Sequence, residues 1–237
     1  LGGSTLNVVA ASGYNYISSN TGSSWSPGQL PSTSLQTLSP NGRAYYYNTN
    51  LYGVSFGNST FVAVGDTGKI VRSTDNGANW SHVTTGRLVD SGSHRVSLYG
   101  TNHLRGVTFG NNTFVAVGYT GKIIRSTNEG SSWDNVTKVN NNNLYGVTFG
   151  NGTFVAVGQS GTIIKSTNNG ASWSSSSSGG NTLNGVTFVN NIFMAVGEDG
   201  RIVKSTADGV TSTDDGSNWS SSTSGTTNDL KGVTFGD

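Results

Sequence analysis

Five copies of one short phrase constrain this chain more than any other feature. Ser18 to Trp25 (SSNTGSSW), Ser73 to Trp80 (STDNGANW), Ser126 to Trp133 (STNEGSSW), Ser166 to Trp173 (STNNGASW) and Ser212 to Trp219 (STDDGSNW) repeat one plan. Each has a Ser, an Asn or Asp two positions on, a Gly and a closing Trp. These are the only five tryptophans in the protein. A phrase recurring every few dozen residues marks one small unit copied around a shared core. That fixes the kind of fold and leaves the function open.

A second phrase, Leu-x-Gly-Val-Thr/Ser-Phe, precedes the first one in each unit. It occurs at Leu51 to Phe56, Leu104 to Phe109, Leu144 to Phe149, Leu183 to Phe188 and Leu230 to Phe235. A Gly/Asn turn and a Phe-Val-Ala-Val-Gly run follow (Phe61 to Gly65, Phe114 to Gly118, Phe154 to Gly158; Phe-Met-Ala-Val-Gly at Phe193 to Gly197). Short apolar runs rich in Val and Phe, bounded by Gly and Asn, predict strands. A third strand, such as Lys69 to Ser73, leads into the Trp phrase, and the Trp begins a fourth. Four antiparallel strands per unit predict a β-propeller blade, so the fold expected is all-β.

The ends complement one another. Asn7 to Ser12 aligns with the second strand and Tyr14 to Trp25 with the third, whereas Leu230 to Asp237 is a first strand with nothing after it. The expectation is one domain over 1–237, a five-bladed ring of four-stranded blades. Its blades start near residues 51, 104, 144 and 183, and its split blade joins 1–50 to 230–237. Such closure would remove open sheet edges without a disulfide; the chain has no Cys. A piece of a longer array cut at both ends is the competing arrangement. Ser205 to Gly209 and Ser212 to Gly216 nearly duplicate one another, which predicts a lengthened hairpin in the last complete blade.

Composition narrows the function classes. Formal net charge is +1, which gives no electrostatic basis for binding nucleic acid. No apolar run approaches the length of a membrane span, so no membrane insertion is expected. Charged residues make up only 11% and Gly numbers 35. A chain dominated by Ser, Thr, Asn and Gly fits an extracellular or cell-surface protein, and a start at Leu1 fits a mature or trimmed product.

The Trp phrase resembles the Asp-box, or BNR repeat, S-x-D-x-G-x-x-W, over essentially the whole chain. Its carboxylate position holds Asp75 and Asp214, and Asn20, Asn128 and Asn168 in the other copies. The resemblance implies a turn-capping role for this residue, which Asn also performs. It implies positive-φ glycines at Gly22, Gly77, Gly130, Gly170 and Gly216. The tryptophans Trp25, Trp80, Trp133, Trp173 and Trp219 would pack over the turns. All of these jobs are structural. The longer rhythm also resembles the photosystem II assembly-factor group and the sialidase-type Asp-box propellers.

Sialidases of this kind use an arginine triad and a Tyr/Glu pair. Here Arg72 and Arg125 recur at one blade position with Lys165 and Lys204, as a structural residue would. Glu occurs only at Glu129 and Glu198, which leaves no convincing acid/base pair for glycoside hydrolysis. No enzyme activity is expected; a glycosidase acting through Glu198 or Asp66 ranks third. The histidines His82, His94 and His103 match no ligand spacing, so neither metal nor cofactor is expected.

Variation concentrates on one face. Two inter-blade connections are long, Ser26 to Asn50 and Ser81 to His103, and the turns between second and third strands differ from blade to blade. Function tends to sit in variable loops on a constant scaffold. The candidate ligand-binding residues on that face are Arg43, Tyr45, Tyr46, Tyr47, Asp66, His94, Arg95, Tyr99, Tyr119, Gln159, Glu198 and Asp199. Aromatic faces beside polar groups suit sugars. The insertions either supply such contacts or form extra hairpins packed on the ring. The leading expectation is a non-catalytic recognition module for glycans, and the alternative is a protein-binding scaffold or structural surface module. Sequons at Asn58, Asn111 and Asn151 fall on equivalent turns and are candidate glycosylation sites.

Overall fold

A computed structural model describes residues 6–9, 15–28, 35–38, 44–47, 50–83, 103–176, 179–205 and 218–235. It is all-β and has propeller architecture. Four antiparallel sheets of four strands begin at Leu51, Leu104, Leu144 and Leu183, and each is named here by that residue. A fifth sheet of three strands, Leu6–Val9, Asn15–Ser18 and Ser26–Pro27, packs beside the Leu51 blade. The first long insertion forms a hairpin of its own, with Leu35–Leu38 paired to Ala44–Tyr47.

Each blade runs in chain order, as its alternation of strands and tight turns dictates. In the Leu104 blade the strands are Leu104–Gly110, Thr113–Gly118, Ile123–Ser126 and Asp134–Asn135. The second strand is buried along its whole length in the Leu51, Leu104 and Leu144 blades. Its alternate side chains serve two junctions, which explains a continuous apolar run in an antiparallel sheet. Val62 and Val64 of the Leu51 blade enter one cluster with Leu104, Phe114 and Ala116 of the next. Val115 and Val117 then pack with Leu144 and Phe154, and Val155 and Val157 with Leu183 and Phe193. The core therefore lies between blades.

First strands meet through glycine. A Cβ on Gly53 would lie 3.3 Å from the Gly106 Cα, and the same close approach joins Gly106 to Gly146, Gly146 to Gly185 and Gly185 to Gly232. Side chains at these positions would wedge the blades apart.

The Trp phrases are turn fasteners. Ser73 Oγ accepts the Gly77 N–H at 2.9 Å, Asp75 Oδ1 accepts the Asn79 N–H at 2.9 Å, and Trp80 Nε1 donates to Gly77 O at 2.9 Å. Asn128 and Asn168 accept the Ser132 and Ser172 N–H groups, each at 3.0 Å, and Asn20 the Ser24 N–H at 2.9 Å. Gly130 packs on Val62 and Gly170 on Val115, so each turn also clasps the preceding blade. Arg72 Nε donates to Glu129 O at 2.9 Å across the same junction. Trp80 is 5% exposed, whereas Trp25, with no described sheet before it, is 41% exposed. Asp214, Gly216 and the near-duplicate segment lie outside the described residues, and Trp219 packs against the core of the Leu144–Leu183 junction.

The expected pairing of the two chain ends is absent among the described residues. Leu6–Val9 pairs only with Asn15–Ser18, and residues 231–235 form no ladder. The C-terminal segment nevertheless sits where a next first strand belongs, with Leu230 N donating to Gly197 O at 2.9 Å. Its far end differs from the interior junctions in one residue. At the interior junctions a glycine lies under the next blade's Phe, and a Cβ on Gly57, Gly110 or Gly150 would come within 2.0 Å of the Phe109, Phe149 or Phe188 ring. At the position equivalent to those glycines the Leu183 blade carries Val189, and Phe235 is 51% exposed.

Candidate functional site

Antiparallel order puts the Gly/Asn turns and the Trp phrases at one end of every blade. At the other end lie the second-to-third-strand turns and the starts of the first strands. A repeated frame builds this second end. Gly65, Gly118, Gly158 and Gly197 abut the residue before the first strand so closely that a Cβ would sit about 2.0 Å from the carbonyl oxygen of Asn50, His103, Asn143 or Thr182. Backbone bonds of 2.8–2.9 Å from Asp66, Tyr119, Gln159 and Glu198 to those same carbonyls lock the turn.

Three of the residues expected to bind ligand first serve this frame. Asp66 Oδ2 accepts the Asn50 N–H at 2.9 Å, Gln159 Oε1 the Asn143 N–H at 3.3 Å and Glu198 Oε2 the Thr182 N–H at 3.2 Å. Tyr119 makes no such side-chain bond, and its ring turns to its neighbours. Asp199 accepts from Asn181 Nδ2 and lines an open polar cleft of about 490 Å³ with Glu198, Arg201, Ser221 and Ser224. Tyr45, Tyr46 and Tyr47 lie on the second strand of the inserted hairpin. Arg43, His94, Arg95 and Tyr99 fall outside the described residues.

The structure adds four residues to the candidates for this face: Tyr52, Arg105 and Tyr145, and His103, which the sequence reading weighed only as a metal ligand. Three of them follow the leading Leu, where the first strand carries a β-bulge in each complete blade. A bulge re-aims its extra side chain, here out of the ladder at the blade end. The Arg105 guanidinium carbon lies 4.0 Å from the Tyr52 ring centroid and 5.8 Å from that of Tyr119. Tyr119 meets Tyr145 edge-on at 6.2 Å and His103 at 5.2 Å. The legible signal was the variable x of Leu-x-Gly-Val, which reads Tyr52, Arg105, Tyr145, Asn184 and Lys231.

Asp66 and His103 anchor this patch. His103 Nδ1 is 2.7 Å from Asp66 Oδ1, linking the Leu51 and Leu104 blades. The ionised carboxylate can only accept that bond, which assigns the N–H to Nδ1. Burial pulls the Asp66 carboxyl upward, but hydrogen bonds from Tyr52, the Asn50 amide and His103 outweigh it, and the net shift is below the ordinary value. Burial, and then the bond to Asp66, raise the Tyr52 hydroxyl above a normal tyrosine. Of the two histidines among the described residues, His82 sits on an exposed fourth strand and His103 reaches the patch. No group of three or more His, Asp or Glu able to hold a metal occurs among those residues.

At the opposite end, Asn58, Asn111 and Asn151 are exposed, all in the left-handed region with φ of 46–48°. The Asn58 and Asn111 side-chain amides donate to Asn112 and Asn169 of the neighbouring blade.

No known protein family profile matches the chain, and no curated protein matches it. Solved structures do. The chain is similar to YCF48 bound to a D1 peptide at 17% identity and a TM-score of 0.61, over 90% of this chain and 62% of that one. It is similar to YCF48 from Cyanidioschyzon merolae at 16% identity and 0.56, over 91% of this chain and 66% of that one. The RRP9 WD40 repeats match at 9% identity and 0.61, over 85% and 56%. The chain thus spans about two thirds or less of these neighbours. At such identities the likeness establishes the fold, and the class defined is a β-propeller.

Proposed function

We propose that the chain is a non-catalytic, protein-binding propeller unit whose Tyr52–Arg105–Tyr119–Tyr145 patch holds a polypeptide partner. The patch itself carries this reading. Aromatic rings around an arginine are the composition of binding hot spots, and they sit at the end where the blades differ from one another. The likeness to YCF48, one structure of which holds a D1 peptide, supports a polypeptide ligand over the glycan expected from composition. The five Trp phrases act in this reading as Asp-box fasteners, and residues 1–237 act as one unit at the cell surface or outside the cell.

The test places a photo-crosslinking amino acid at Tyr145 and, as a control, at Asn151 on the opposite end. The expected result is crosslinking to polypeptide from Tyr145 and not from Asn151. Binding on a glycan array that disappears in Tyr119→Ala would replace this reading with the lectin one.

A further inference from the structure

We infer that Arg105 receives a carboxylate carried by the bound peptide; this rests on the polypeptide reading above. The Tyr52 ring holds the guanidinium by cation–π attraction, which uses none of its N–H groups. Five donors remain in a planar fork. Among the described residues no hydrogen bond and no ion pair reaches the Arg105 guanidinium. The carboxylate of this patch, Asp66, is already committed to the Asn50 amide, Tyr52 and His103.

The repeat supplies an internal control. The position of Arg105 is Tyr52, Tyr145, Asn184 and Lys231 in the other copies, on bulges of the same register in the complete blades. The frame therefore requires no arginine there. Arg72 shows the opposite pattern, since its position holds Arg or Lys in every complete blade and its Nε is spent on Glu129 O. A planar fork with open donors fits a two-oxygen anion in bidentate geometry. The Tyr119 and Tyr145 rings beside it suit an apolar or aromatic side chain next to that anion. With a formal net charge of +1, the chain offers no general attraction for polyanions, so a single carboxylate matches better than a phosphate polymer.

The experiment screens the full chain against a bead library of random octapeptides, made with free and with amidated C-termini. Selected peptides are expected to carry Asp or Glu beside an aromatic or aliphatic residue, or to require the free C-terminus, and the amidated arm separates these two sources. Arg105→Ala should weaken a selected peptide about tenfold or more, and Arg105→Lys less, because lysine keeps the charge and loses the fork. Replacing the peptide carboxylate with its amide should cost wild type the same factor and cost Arg105→Ala nothing further. Thermal melts of both variants confirm folding. Peptides without acidic enrichment, or unchanged affinity in Arg105→Ala, would overturn the carboxylate assignment. If Tyr119→Ala still abolishes binding in that case, the polypeptide reading survives it. Capture of no peptide, with Arg105-dependent binding to sialic-acid glycans on an array, overturns both.

Discussion

Two blade junctions share a backbone and differ in what they do with it. At the Leu51–Leu104 junction, Asp66 takes the Asn50 amide and His103, while Tyr52, Arg105 and Tyr119 form a stacked patch. At the Leu144–Leu183 junction, the Gln159 side chain makes one 3.3 Å bond to the Asn143 amide, and the bulge residue Asn184 turns to the next segment, donating to Leu230 O at 2.9 Å. The glycines, bulges and turn bonds are the same at both. Identical scaffolding with divergent side chains separates what folds the blade from what the blade presents.

The largest expected effect tests the shared half of the comparison. Gly118→Ala and Gly158→Ala each drive a methyl into a backbone carbonyl that cannot move away, that of His103 or Asn143. Both should lose about 3 kcal/mol in urea unfolding, and by similar amounts. A loss at only one would mean that the junctions are not equivalent frames. The divergent half comes next. Asp66→Ala strands the Asn50 amide and unpins His103, for a cost of about 2 kcal/mol, whereas Gln159→Ala gives up one long bond on an exposed side chain, at about 0.5 kcal/mol or less. Equal losses would reduce Asp66 to another frame residue.

Much of this division was legible in the chain and some of it was not. Strand order and turn chemistry were readable because the repeat supplies four versions of every position, so Phe114, Gly118 and Trp133 declare their roles by recurrence. The pairing of the two chain ends was not, because it would join strands from opposite ends of the chain and no other copy repeats such a pairing. The turn residues Asp66, Gln159 and Glu198 stood out for varying, yet their oxygens do a common job. Conversely Arg105 and Tyr52 were hidden within a strand phrase, since a β-bulge leaves the apolar pattern around it undisturbed.

Acid sharpens the Asp66 contrast. Its carboxyl lies below the ordinary 3.8 in the folded protein, so its stabilisation is fully present above that value and drains as pH falls through the lower, folded one. The stability gap between wild type and Asp66→Asn should be constant at neutral pH and close under acid. A parallel series with Gln159→Ala should show no such closing, because an amide does not titrate. Urea midpoints collected between pH 2 and 6 decide it, and a gap that persists to the lowest pH would show that the contribution of Asp66 is not that of its charge.

The smallest effect lies one turn away and has the opposite sign. Lys69 follows the Asp66 turn and is pushed down to about 8 by burial, whereas the same position in the Leu144 blade is a buried Thr162. A lysine whose folded value is depressed holds fewer protons when folded than unfolded between about 8 and 10.5. Stability must then rise with pH across that window and stay flat below it. Lys69→Thr, which imports the Leu144 solution, should remove this rise, and at pH 7 it should be spared the cost of the buried charge. The half-exposed setting screens the charge, so the slope will be a fraction of a full proton. Chemical denaturation at pH 7.5, 9 and 10.5 measures it. An unchanged slope in the variant would place the depressed amine elsewhere and leave the turn at this junction as neutral as its counterpart.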